Sequence, residues 1–176
     1  MRQRHTRAGR RHRRLVALAS VIVFAGACAT LQQLVQPLQF STAPGRQAEL
    51  RLLGPASGRP LGGVGVRLWA HVLNPNPVGV NLTAITGNLF LADNQAGSVN
   101  LPLGLPLRAA RDTIFPVDVS VSFADVPRVA SVLTRAISGS AIPYRLDGRF
   151  SVGAGALGSF DFGPQTLLQG NATVFR

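Results

Sequence analysis

The sequence predicts a mainly β chain, an antiparallel β-sandwich with one short helix, and three observations lead there. Apolar and polar residues alternate with period two over residues 64–72, 113–123 and 142–152, the pattern of strands buried on one face. Nineteen glycines and 12 prolines punctuate the chain, as many strands joined by turns require. Charged residues make up 14% against 46% hydrophobic, a balance that builds a core and does not suit a disordered chain. A length of 176 residues then fits one domain with a short N-terminal segment.

Residues 1–14 carry seven arginines and no acid, and an apolar run over residues 15–27 closes on small side chains. That is secretory-signal architecture, and the run falls short of the roughly 20 residues of a membrane span. Ala25-Gly26-Ala27-Cys28 resembles a bacterial lipobox, with Ala25 where leucine is usual. Cys28 is the candidate lipid-attachment residue: small neighbours admit a peptidase, and the thiol is the nucleophile that takes a diacylglyceryl group. As the only cysteine, it leaves no intrachain disulfide and no cysteine-based zinc site. The expected organisation is a signal peptide over 1–27, a lipidated N-terminus and tether over 28–45, and a β-sandwich domain over 46–176. Such a protein is expected in the cell envelope, held to a membrane through its N-terminal lipid. Where the cell has two membranes, Ala29 allows the outer membrane or the periplasmic face.

The net charge of +11 suggests nucleic acid, but its distribution does not. From Cys28 onward 11 arginines stand against seven acids, scattered along alternating strands without a basic stripe or an aromatic platform. Nucleic acid is not an expected partner.

The strands follow in order. Residues 48–53 read as the first and 54–63 as a turn-rich connection. Val64, Val66, Leu68, Ala70 and Val72 share one face of the next strand, and Gly65, Arg67, Trp69 and His71 the other. It runs into Asn74-Pro75-Asn76-Pro77, where two prolines remove donors and two asparagines can bond their own backbone, which makes a stiff corner. Leu82, Ile85, Leu89 and Leu91 mark a strand after the corner, followed by a segment around Gly97 and Leu101. Pro116 places the 113–123 strand at an edge or a bulge. A helix is expected at about 125–138, with Asp125 as N-cap, Pro127 in the first turn and Gly139 as stop. Gly148 suggests a bulge or a close approach in the 142–152 strand. Phe160 and Phe162 mark a strand that Gly163-Pro164 is expected to break before residues 171–176 close the sheet.

Catalytic chemistry finds no purchase in this pattern. His5, His12 and His71 are the only histidines, and the acids show no metal-ligand spacing. No nucleophile elbow brings a Ser, a His and an Asp together. Gly62-Gly63-Val64-Gly65 lacks the lysine and helix of a phosphate cradle. No catalytic residue, metal or cofactor is expected. Trp69 with Arg67 and His71 forms a candidate interaction surface, since aromatic and arginine side chains together bind sugars or peptides. The alternative, that the helix or a neighbouring strand covers Trp69, is favoured.

The strand that runs into Asn74-Pro75-Asn76, the strand order after it, and Tyr144, Leu146 and Gly148 in a Tyr-x-hydrophobic-x-Gly pattern carry a resemblance. Over about residues 48–176 the chain resembles the type 2 late embryogenesis abundant family and its WHy domain. The resemblance implies an Ig or fibronectin III-like sandwich of about seven strands, in which Asn74, Pro75, Asn76, Tyr144 and Gly148 are structural motif residues. It also implies a non-enzymatic role under desiccation and other stress, shielding protein clients or membrane. The alternative is an envelope lipoprotein that serves as a binding or assembly module for a protein partner or an apolar ligand.

Overall fold

The computed structural model describes residues 35–57, 59–124, 131–132, 134–135 and 138–174. The chain divides into a unit Met1–Gln36 and a unit Pro37–Arg176; the expected signal peptide, Cys28 and the expected tether up to residue 34 lie outside the described residues. Among the described residues of the second unit there are eight strands: β1 Gln39–Thr42, β2 Ala48–Leu53, β3 Gly63–Leu73, β4 Val80–Leu91, β5 Asn94–Leu107, β6 Asp112–Ser122, β7 Ile142–Gly153 and β8 Ser159–Val174.

Hydrogen bonding runs in the order β1-β3-β2-β8-β7-β4-β5, with β6 on the other edge of β3. β1 and β2 pair with successive halves of β3, so one layer is β6, β3 and β1/β2, and the other is β8, β7, β4 and β5. The layers join through a short parallel ladder, Ala48–Leu50 of β2 beside Ala172–Val174 of β8. They also meet through the interior. Phe40 of β1 packs on Phe150 of β7 with ring centroids 4.8 Å apart, and Phe150 stacks on Phe162 of β8 at 5.2 Å. This is the expected mainly β, sandwich-like fold, with eight strands in place of about seven.

Period-two patterning places the core. Val64, Val66, Leu68, Ala70 and Val72 of β3 are all buried, as are Phe115, Val117, Val119 and Val121 of the paired β6. Leu82, Ile85, Leu89 and Leu91 of β4 and Ile142, Tyr144, Leu146, Phe150 and Val152 of β7 supply the opposite wall. At about 2 kcal/mol for each large apolar side chain, burial on this scale dominates the energetics. Pro116 lies on β6, whose only ladder among the described residues is to β3, so the missing N–H leaves no gap.

Three expectations need correction or bounding. The expected 28–45 tether is shorter, because Gln39–Thr42 already forms β1: Phe40 and Thr42 share the inward face of Val72 and Ala70 across the ladder. The break at Gly163-Pro164 does not occur; β8 runs through a cis peptide there, and pairing resumes from Phe162↔Phe150 to Gln165↔Gly148 across a register shift. Of the expected 125–138 helix, Ser131, Val132, Thr134 and Arg135 are helical, and the remainder up to residue 137 lies outside the described residues.

Gly148 sits where three strands crowd. It faces Gly87 of β4 in register, and a Cβ on either would run into the other strand's backbone. Gly163 of β8, at φ 108°, closes on the Gly148 carbonyl from the other side. Gly148→Ala should therefore destabilise the fold by about 3 kcal/mol, the upper end for overpacking, since backbone cannot yield as a side chain does. Gly54→Ala, with ordinary φ and nothing within 4 Å of the added methyl, should leave the urea midpoint nearly unchanged. Equal midpoints for the two variants would refute the crowding argument.

Candidate functional site

The corner after β3 is built on one side chain. Asn74 and Asn76 are fully buried, each at 0% exposure. The Asn74 Oδ1 accepts from the Asn76 backbone N–H at 3.0 Å and from Asn76 Nδ2 at 2.9 Å. Its Nδ2 donates to the carbonyls of Val78 and Arg108, both at 3.0 Å, and more distantly to that of Leu107 at 3.4 Å. The Asn74 N–H donates to the Arg111 carbonyl at 3.0 Å, and Ala110 N–H returns a bond of 3.0 Å to the Asn76 carbonyl. An amide offers two donors and two acceptor lone pairs, and here all are used. Pro75 and Pro77 bring no N–H that would need a partner. The two turns β3–β4 and β5–β6 are thus fastened together through one carboxamide.

Tyr144 and Gly148 lie on β7, in the other layer. Tyr144 is 4% exposed; its hydroxyl reaches Thr42 Oγ1 of β1 at 3.4 Å, and Thr42 donates to the Gln169 carbonyl of β8 at 2.7 Å. Gly170 beside the phenol leaves it room, since a Cβ there would stand 3.1 Å from the hydroxyl oxygen. These residues brace the interior, and the structure does not bring them to the Asn74 corner.

Arg67, Trp69 and His71 do share one surface, the outward face of β3. Arg67 makes a two-pronged pair with Asp118 of β6 at 2.7 and 3.0 Å. The Arg46 guanidinium covers the Trp69 ring at 4.1 Å from its centroid, so an arginine from the β1–β2 connection does what a helix or strand was expected to do. His71 Nε2 meets Asp112 Oδ2 at 2.8 Å, and its Nδ1 meets Ser41 Oγ at 3.0 Å. The histidine bond is the main cause that draws the Asp112 carboxyl below its ordinary range.

Sequence reasoning missed the Ser41–His71–Asp112 row. Its members come from three strands at separations of 30 and 41 residues, and no local motif announces such a meeting. The row stitches β1, β3 and β6 on their open face. Asp112, at 61% side-chain exposure, is screened by water and does little to activate the imidazole. Among the described residues no three His, Cys, Asp or Glu converge as metal ligands, and no helix is long and apolar enough to cross a membrane. Cys28 lies outside the described residues.

On the outer face of β7, Asp147 accepts from the Thr166 hydroxyl at 2.7 Å and from Arg145 Nε at 2.8 Å. The Thr166 bond foremost, with help from Arg145 and against desolvation, lowers its carboxyl from the ordinary value.

Comparison with known proteins follows from this geometry. A family model described as late embryogenesis abundant protein matches residues 70–165, a span that includes the asparagine corner, Tyr144 and Gly148. A solution structure from Arabidopsis thaliana is similar in fold, with a TM-score of 0.50 at 16% identity over 81% of this chain and 82% of that one. A crystal structure of a protein from Archaeoglobus fulgidus covers 79% of this chain and 96% of its own at a TM-score of 0.40 and 8% identity. No curated protein matches the sequence.

Two outcomes are expected of this geometry. Asn74→Ala strands buried groups in two turns at once and should cost about 3 kcal/mol or more in urea unfolding; a loss below about 1 kcal/mol would contradict the fastening role. Asp147 has a lowered folded-state value, so its contribution is complete above the unfolded value near pH 4 and disappears as pH falls through the folded one. With the side chain 34% exposed, the effect is screened to below about 1 kcal/mol. Stability of wild type relative to Asp147→Asn should shrink as pH is lowered from about 5 to 2, and a pH-independent difference would dismiss the linkage.

Proposed function

The chain belongs to the type 2 late embryogenesis abundant family, and on that premise we propose that it is a membrane-anchored stress-protective protein that acts without catalysis. Its β domain, held at a membrane surface of the cell envelope by lipid on Cys28, shields neighbouring proteins or lipid as water is withdrawn. The observation that carries this reading is the family match over the asparagine corner, placed after a basic and then apolar leader that ends in Ala25-Gly26-Ala27-Cys28. Drying concentrates solutes and strips hydration, so unfolded neighbours associate through exposed apolar surface. A folded domain with few charges and a buried apolar core can stand between them and keep that core closed.

Lack of catalysis is supported by the openness of the Ser41–His71–Asp112 row, whose carboxylate is 61% exposed to water. Anchoring gives the domain a high local concentration at the surface that needs protection. Cells that lack the protein should lose more viability on drying and rehydration than wild type. Wild-type protein should restore survival, while Cys28→Ser should leave the membrane fraction and restore less. Equal survival with and without the protein would remove the protective role, and a Cys28→Ser variant that stays membrane-bound would remove the anchor.

A further inference from the structure

One end of the domain gathers four features from separate parts of the chain. The chain enters β1 there, since Gln39 pairs with Leu73 at the last position of β3. The corner over residues 74–79 follows directly. The β5–β6 turn brings Arg108 and Arg111, both exposed. The β7–β8 hairpin, whose Gly153 pairs with Asn81 of β4, carries a 3-10 turn Gly155–Leu157 with no buried residue. Val78 is 45% and Leu157 41% exposed. Between them an open groove of about 340 Å³ runs past Gly79, Val80, Pro106, Leu107 and Gly153.

From this arrangement we propose that the Asn74 end of the domain docks on an anionic phospholipid bilayer, with Arg108 and Arg111 on lipid phosphates and Val78 and Leu157 among the headgroups. The inference rests on the anchoring reading above and adds to it which surface faces the lipid. Exposed apolar side chains alone do not choose this end, because Leu61 at 68% and Leu52 at 57% lie toward the other. The covalent chain chooses it. Eight residues lie between Cys28 and Pro37, nine chain steps with a reach of at most about 30 Å, so lipid on Cys28 keeps this end beside the bilayer.

The chemistry of the patch suits that neighbour. A planar guanidinium pairs two-pronged with phosphate oxygens, and an anionic leaflet favours each arginine at its surface by about fivefold. Among the described residues neither Arg108 nor Arg111 makes an ion pair, whereas Arg67 is committed to Asp118 and His71 to Asp112. Asp112 next to Arg111 is the nearby acid. The support is rigid: the carbonyls of Val78, Arg108 and Arg111 all accept from Asn74. One buried asparagine therefore sets the positions of three of the four docking residues.

The test uses the full chain recovered from cell envelopes in detergent and reconstituted into phosphatidylcholine vesicles with or without about one-third phosphatidylglycerol. Ala156→Cys, beside Leu157, and Leu61→Cys, at the other end, each carry a fluorophore; a lipidated Cys28 has no thiol left to label. Spin-labelled headgroups should quench the dye at position 156 several-fold more than at 61 in the anionic vesicles, and by a much smaller margin in phosphatidylcholine alone, where only the tether acts. Arg108→Glu with Arg111→Glu should reduce that excess about tenfold, and about 0.5 M salt should act in the same direction. Equal quenching at both positions, or an excess indifferent to the charge reversal, overturns the proposal; so does quenching that needs an added envelope protein. The two readings fail separately. An anchored chain with equal quenching removes the docking end alone, while a Cys28 that still takes dye removes the anchor and the docking end with it.

Discussion

The Asn74 carboxamide is the constraint on which most of the sheet depends. It stands at the end of β3 with no exposure to water, so each of its polar atoms must find a protein partner or lose several kcal/mol. Its partners come from its own turn and from the β5–β6 turn. Those turns join β3 to β4 and β5 to β6, so four of the eight strands leave from a junction that admits one register. Aspartate at this place would offer no donor to the Val78 and Arg108 carbonyls, and leucine would leave every partner unmet. The flanking prolines matter for what they lack, because Pro75 and Pro77 add no N–H donor at the corner.

Inside, packing outweighs polarity. Among the described residues the layers join by a three-residue parallel ladder between β2 and β8, too little to hold a sandwich closed. Closure comes from the Phe40–Phe150–Phe162 stack and from Tyr144 reaching Thr42 across the interior. On the outer face of β3 the order of magnitude reverses. The Arg67–Asp118 and His71–Asp112 pairs are half in water, where solvent screening leaves such pairs little net effect on stability. They align β3 with β6, as the His71–Ser41 bond aligns β3 with β1, without deciding whether the chain folds.

Alternation made the central strands legible. In β3, β6 and β7 the apolar positions read from the sequence are the buried ones, because one face of each strand meets a core and period two records that contact. What the sequence hid follows from physics that leaves no period. β5 is a 14-residue edge strand broken in appearance by Pro102, Gly104 and Pro106, residues that an edge tolerates and a centre does not. The β4–β5 hairpin turns through Ala92 and Asp93 at φ 47° and 61°, and this pair lacks the glycine that signals such a turn. β1 leaves no mark in the sequence because four residues are too few to show a pattern; it is a strand because β3 offers it an edge. The corner was recognised as a turn, with Asn74 and Asn76 bonding their own backbone. That Asn74 also binds the Arg108 carbonyl, 34 residues away, is a tertiary fact.

A motif that serves architecture and a surface that serves contact are usually found in different places, one buried and one exposed. Here they are the two sides of one turn. The carboxamide of Asn74 satisfies the Val78 and Arg108 carbonyls and its backbone N–H the Arg111 carbonyl, so this one residue dictates where the side chains of all three project, and they project outward. Rigidity on the inside lowers the entropy that ordering the outside would cost. The outer face of β3 shows the opposite economy: its charges face one another, are neutralised in place and have little left for a partner. A reader looking for contact residues by aromatic and arginine content would choose Trp69 and Arg67. The hydrogen bonds direct attention instead to the end of the domain, where two arginines remain without an ion pair among the described residues and the backbone beneath them is fixed.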